Sequence, residues 1–319
     1  TCALPIYLHL HFTAEVFLIH EGTWRFRWGA NGEHEAEFSA PTILSIPTWI
    51  FRGFTNVSKE DTCGMVFTVL GGDNTGGIIW HPSVLAAASE YGMYLSKDNM
   101  LIAQEAGEPT PDPATLLTPL SEQYIAGLRD YSVEEMRQRA VTGDDRCWSA
   151  QGLLDSVLPG HGGEIAPVIG FGISQDRDSA PAILSPHGFS VEWLRLADDH
   201  IVGRHLCPDI QVIMVFKGQL EVTWNEAGKE VSIIAPERSV ISIPANSWRR
   251  YRAVDGNVEF ILTTRGDQRK RLYWDEAILH QAREHNRCLD PDGYVADADI
   301  LPATARRAGE KVEKVPAAN

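Results

Sequence analysis

The chain has 319 residues, 44% of them hydrophobic, enough to bury one large core or two of ordinary size. A formal net charge of -15 excludes the clustered Lys and Arg that nucleic acid or an anionic membrane surface would need, and no run of about eighteen apolar residues is present to span a bilayer. Five cysteines, Cys2, Cys63, Cys147, Cys207 and Cys288, are odd in number, scattered and free of any CxxC. Neither a disulfide framework nor a zinc ribbon is indicated, a reducing cytoplasm is the expected location, and a small molecule is the expected partner.

In chain order, the first informative stretch runs from His9 through His11 to Glu15, with Gly22 after it. Two histidines one residue apart on an extended segment face the same side, and residues 16–19 continue as a strand of β-branched and apolar type. Two imidazoles and a carboxylate converging inside a β structure suit a divalent transition metal with open coordination positions. Residues 23–28 and 33–38 read as the arms of a hairpin around Asn31-Gly32. Residues 42–46 form a strand ended by Pro47, residues 64–70 close the sheet, Gly71 to Asn74 turns the chain out of it, and residues 82–90 fit a short helix.

Residues 96–180 change character. A proline-rich connector at 108–113 precedes helical spacing over 116–128, and Ser132-Val-Glu-Glu135 is a capping box opening a helix to about 141. This stretch reads as a partly helical bridge. Residues 189–196 alternate apolar and polar as a half-buried strand, and the polar residues after 290, including Lys311 and Lys314, read as a loose tail.

The architecture is clearest from an internal repeat. Glu15 to Gly22 lies on Gln211 to Gly218, an offset of 196. Ser45-Ile46-Pro47 and Phe51-Arg52 fall on Ser242-Ile243-Pro244 and Trp248-Arg249 at 197, and Trp80 on Trp274 at 194. The expected organisation is a first β unit over 1–95, a bridge over 96–180, a second β unit over 181–290 and a tail over 291–319. The counterpart of strand 189–196 would precede Thr1, so the first unit is expected to lack its opening strands.

These residues carry a resemblance. His9, His11, Glu15 and Gly22 sit at the spacings of the first cupin motif, and the second, Pro-x-Gly-x-x-His-x-x-x-Asn, is echoed by Pro47 and Asn56 with Trp49 for its glycine and Arg52 for its histidine. The chain thus resembles a bicupin, as in gentisate-type and quercetin-type dioxygenases and oxalate decarboxylases. That resemblance implies an all-β fold of two tandem jelly-roll barrels with short flanking helices, and a homo-oligomer. It also implies a metal held by three His and one Glu. Arginine stays cationic and offers no lone pair, which leaves His9, His11 and Glu15 as ligands and Arg52 as a carboxylate clamp or charge stabiliser. A salt bridge from Glu15 to Arg52 is the rival reading.

In the second unit the matching positions are His205, Cys207, Gln211 and Arg249, a poor donor set, so that barrel is expected to be structural. Among other histidines, His20 is expected to face away from Glu15, His34 to be solvated, His81 to lie near a helix start, and His161 to sit in the bridge. Three function classes follow. The first is an Fe(II)-dependent dioxygenase acting on a small carboxylated or chelating, aromatic substrate, with Mn, Ni or Zn as other metals. The second is a non-redox metal-dependent lyase, isomerase or decarboxylase, and the third a binding bicupin without catalysis.

Overall fold

The computed structural model describes residues 6–59, 63–72, 77–226 and 228–310, so Cys2, part of the expected turn at 71–74 and the lysines of the tail lie outside it. The chain divides into two compact units, 1–144 and 145–319. The first holds β1 (Ile6–His11), β2 (Glu15–Glu21), β3 (Thr23–Trp28), β4 (His34–Ser39), β5 (Thr42–Ile46), β6 (Arg52–Asn56), β7 (Met65–Leu70), β8 (Ile78–Trp80) and helix α1 (Pro82–Glu90). They form two antiparallel sheets, ordered β4-β3-β6-β1-β8 and, with a late strand described below, β5-β2-β7.

Alternation decides which faces meet. Along β3, Trp24, Phe26 and Trp28 are buried while Arg25 and Arg27 point out, paired across the hairpin with Glu37 at 2.7 Å and Glu35 at 3.1 Å. Phe17 and Ile19 of β2, Leu44 and Ile46 of β5 and the β3 aromatics form one core between the sheets. Register then places the first motif. His9 pairs with Arg52 across β1 and β6 and with Trp80 across β1 and β8, while Glu15 pairs with Ile46. The ends of β1 and β5 and the starts of β2 and β6 therefore gather at one end of the barrel.

The first unit continues through β9 (Met93–Leu95), β10 (Leu101–Ala103), α2 (Glu122–Ala126), α3 (Val133–Arg137) and β11 (Ala140–Thr142). The capping box forms as expected, with Ser132 and Glu135 bonding each other's backbone N–H. Its helix stops at Arg137, because Arg139 binds Ser45 and residues 140–142 become β11, an edge strand on β5. The helical spacing over 116–128 yields only α2, Leu116 and Leu117 being tied to the β9–β10 hairpin instead. Residues 96–144 thus belong with the first compact unit.

The second unit contains β12 (Glu164–Ile169), β13 (Phe189–Leu196), β14 (Ile201–Cys207), β15 (Gln211–Glu226), β16 (Lys229–Pro236), β17 (Val240–Ile243), β18 (Ser247–Arg265), β19 (Tyr273–Trp274), α4 (Glu276–Glu284), β20 (Arg287–Leu289), β21 (Val295–Asp297) and α5 (Ala303–Gly309). The long β15 and β18 pair along most of their lengths and bend at bulges. Residues 291–309 are not a loose tail. They hold β21 and α5, anchored where Arg271 donates to the carbonyls of Ala308 and Gly309.

The repeat is physical. His205 pairs with Arg249 and Trp274 as His9 does with Arg52 and Trp80. Gly22 and Gly218 take the same left-handed φ, +83° and +84°. In the second unit β13 pairs along the far half of β18. Its counterpart is missing from the first unit among the described residues, where β7 forms the edge of its sheet. The protein is all-β, two jelly-roll barrels in tandem with short helices.

Candidate metal centre

β1 delivers His9 and His11, and the three-residue turn after it delivers Glu15 as the first residue of β2. All three are about 4% exposed, and one donor atom from each lies within 4.8 Å of the others. His9 Nδ1 meets the Tyr7 carbonyl at 2.8 Å, which makes Nδ1 the protonated nitrogen and leaves Nε2 with its lone pair. Burial pulls His9 down to about 4, against the Tyr7 hydrogen bond and with help from the Arg52 charge. Burial likewise brings His11 to about 4, with Arg52 and His9 adding to it against the Gly77 backbone. Both imidazoles are neutral donors at neutral pH.

The rival reading of Glu15 is also present in the geometry. Arg52, fully buried, donates from Nε to Glu15 Oε2 at 2.8 Å and from Nη1 to the Ile50 carbonyl at 3.1 Å. Nη2 stands 2.8 Å from the same Oε2 but has no hydrogen-bond partner. Burial raises the Glu15 carboxyl, and the Arg52 charge opposes that rise. The pair spends only one carboxylate oxygen. Oε1 turns toward His11, 3.8 Å from its Nε2. Two neutral imidazoles and one free carboxylate oxygen fit a divalent transition metal, with Arg52 where a fourth ligand would otherwise enter.

The second barrel shows what happens when the donors change. His205 keeps the backbone bond, Nδ1 to the Gly203 carbonyl at 2.8 Å, and burial lowers it to about 3. Its Nε2 is buried without a partner. Gln211 replaces the carboxylate and its oxygen is fully used, accepting from Arg249 Nη1 and the Tyr251 hydroxyl, while its nitrogen donates to Thr264 at 3.0 Å. Burial raises the Cys207 thiol, away from the thiolate that a metal would require. Arg249 spends its remaining donors on the carbonyls of Ser247, Cys207 and Pro244.

The other histidines join neither set. His20 lies on the opposite face of β2 and packs on Phe67. His34 is not simply solvated, since it pairs with Asp130 at 2.9 Å and stacks on Trp28. His81 caps α1 through Ser83, and His161 is held by buried Asp155 at 2.7 Å. Sequence reading missed Glu192. This fully buried carboxyl, pushed up to about 8 by burial, binds the amides of Ile173 and Ser174 and pins that loop to the second barrel. An acidic residue at an inward position of an alternating strand was its only signal.

Among the described residues no helix is long and apolar enough to cross a membrane. No protein-family model and no curated protein matches the sequence. Solved structures do. The formate complex of Lactobacillus farciminis oxalate decarboxylase superposes with a TM-score of 0.52 over 86% of this chain and 77% of its own, at 12% identity. Procruciferin, the 11S globulin of Brassica napus, gives 0.52 over 85% and 76% at 11% identity, and Bacillus subtilis oxalate decarboxylase at pH 4.6 gives 0.50 over 97% and 72% at 11%. An enzyme and a globulin share this arrangement, so the fold leaves function to the site. In fold, the chain is similar to these two-barrel structures.

Proposed function

We propose that the N-terminal barrel is an enzyme site in which His9, His11 and Glu15 hold one divalent transition metal, Fe(II) foremost and Mn, Ni or Zn as the other candidates. We read its chemistry as that of a gentisate- or quercetin-type dioxygenase acting on a small carboxylated or chelating, aromatic substrate. One observation carries this reading. Two neutral imidazoles and a single free carboxylate oxygen converge within 4.8 Å, and the residue at the fourth-ligand position is a cation.

When bound, ferrous iron supplies oxygen activation and a Lewis acid. The chain's own residues do the rest. The Tyr7 carbonyl fixes the tautomer of His9, and Arg52 orients Glu15 so that Oε1 faces the donors. Arg52 Nη2, 2.8 Å from Glu15 Oε2, has a second N–H suited to a substrate carboxylate or a developing anion beside it.

A decarboxylase is the second reading, favoured by the oxalate decarboxylases among the fold neighbours. Protein purified without chelator, or loaded anaerobically with Fe(II), should hold about one metal per chain. Oxygen consumed in step with aromatic carboxylate supports the dioxygenase; carbon dioxide released from small carboxylates without net oxygen uptake supports the decarboxylase. Failure to take up any metal under either condition overturns both.

A further inference from the structure

The loop between β5 and β6 carries a residue in the wrong conformation for its side chain. Trp49 has φ +58°, a left-handed backbone that a bulky residue occupies only with strain. The turn itself explains the backbone, because the Trp49 N–H donates to the His11 carbonyl at 3.0 Å. The second barrel builds the same turn. Asn246, at the repeat-equivalent position, has φ +56° and donates to the Cys207 carbonyl at 3.0 Å. Asparagine tolerates this conformation readily and tryptophan does not, so the turn by itself gives no reason for an indole.

Packing does not repay the strain either. The Trp49 side chain is 40% exposed and its aromatic neighbour is Phe12, itself 45% exposed, with ring centroids 6.0 Å apart and planes at 40°. Phe12 directly follows His11 and lies over Gly77, where any Cβ would strike its ring. The second barrel has Pro208 at the position of Phe12. Two exposed aromatic rings therefore flank the backbone of His11 in one barrel, and neither is kept in the copy whose donor set has changed.

We propose that Phe12 and Trp49 form a stacking clamp that selects planar aromatic carboxylates for the His9, His11 and Glu15 centre. Tilted rings leave π-faces accessible to a flat ligand, whereas a puckered ring of equal charge gains little from them. This inference rests on the aromatic-substrate reading above and names the residues that enforce it.

The test uses the full chain, metal-loaded, with 4-fluorobenzoate and cyclohexanecarboxylate as probes. Affinity is followed by ligand-observed NMR and calorimetry, and the Trp49 indole N–H signal is assigned by its loss in Trp49→Asn. The expected result is preference for the aromatic probe and a shift of that indole signal on titration. Trp49→Asn and Phe12→Pro, which install the residues of the second barrel, should each weaken 4-fluorobenzoate about three- to tenfold and leave cyclohexanecarboxylate unchanged. Thermal melting checks folding, and Trp49→Asn should melt no lower than the parent because it relieves the left-handed strain. An unmoved indole signal, no binding of either probe, or equal loss for both probes overturns the clamp. Metal content is measured on the same samples. Metal retained without aromatic preference rejects the clamp alone; aromatic preference without metal uptake keeps the clamp and rejects the proposed enzyme.

Discussion

Arg52→Met and Glu15→Gln break the same buried ion pair from opposite ends and should not cost the same. Arg52 is fully buried and Glu15 about 4% exposed, so removing the guanidinium strands a carboxylate with no other hydrogen bond. Loss of one partner from such a pair costs about 3–5 kcal/mol, on the order of 10 °C in melting temperature for a unit of this size. Glu15→Gln instead recreates the arrangement seen in the second barrel, where Arg249 donates to the Gln211 amide oxygen. That substitution keeps a hydrogen bond from the guanidinium but removes its counter-charge, and should cost less, about 2 kcal/mol. A bound cation near Glu15 can replace the missing guanidinium. Metal at a hundredfold excess over its Kd should therefore return about 2.7 kcal/mol to Arg52→Met and nothing to the Arg52→Met/Glu15→Gln double variant. Scanning calorimetry with chelator and with metal measures all four combinations. Equal losses for the two single variants, or no metal-dependent recovery in Arg52→Met, would refute the assignment of Glu15 as a shared partner of arginine and metal.

Further expectations are simpler. His11→Ala should abolish metal retention measured by elemental analysis, whereas His205→Ala should leave it at the parental level; equal loss would show that the second barrel also holds the ion. Acid stability should report His205, whose folded value of about 3 lies below the ordinary 6.5. The neutral ring is the folded form, so this group costs nothing above pH 6.5 and destabilises progressively as pH falls from 6.5 toward 3. His205→Phe should make that acid limb shallower by up to about 1.4 kcal/mol per pH unit, read from urea melts at stepped pH. Gly218→Ala faces both a φ of +84° and a Cβ position 2.3 Å from the Asn257 carbonyl, which cannot yield. A loss of about 2–3 kcal/mol is expected in the same melts, and a neutral result would mean that the β-bulge there can be remodelled.

What the sequence made legible follows from how each signal is encoded. The repeat could be read because offsets of 194 to 197 preserve pairings that the structure then shows at His9 with Arg52 and His205 with Arg249. The hairpin around Asn31-Gly32 and the capping box at Ser132 were readable because both are local chemistry. The short reach of α3 was not, because strand β11 is fixed by Ser45, 94 residues away in sequence from Arg139. The helix at residues 303–309 escaped for a similar reason, its anchor being Arg271. At the site, spacing brought His9, His11 and Glu15 together as candidates but did not show how Glu15 divides its two oxygens. In the sequence, Trp49 simply stands in for a motif glycine. Only the backbone angle shows that the left-handed turn survived the loss of glycine and that the indole is carried outside the core.

The orphaned Nε2 of His205 bears on how such sites are gained and lost. That ring already has the tautomer and backbone anchor of a ligand, and its neighbours Cys207 and Gln211 stand at the positions of His11 and Glu15. Cys207→His together with Gln211→Glu would complete a second donor set on a scaffold that needs no new loop. The first change must accommodate an imidazole in place of a fully buried thiol, so repacking around Cys207 is the main obstacle. The repeat thus sets a candidate donor set in one half beside, in the other, a mould two substitutions from the same arrangement.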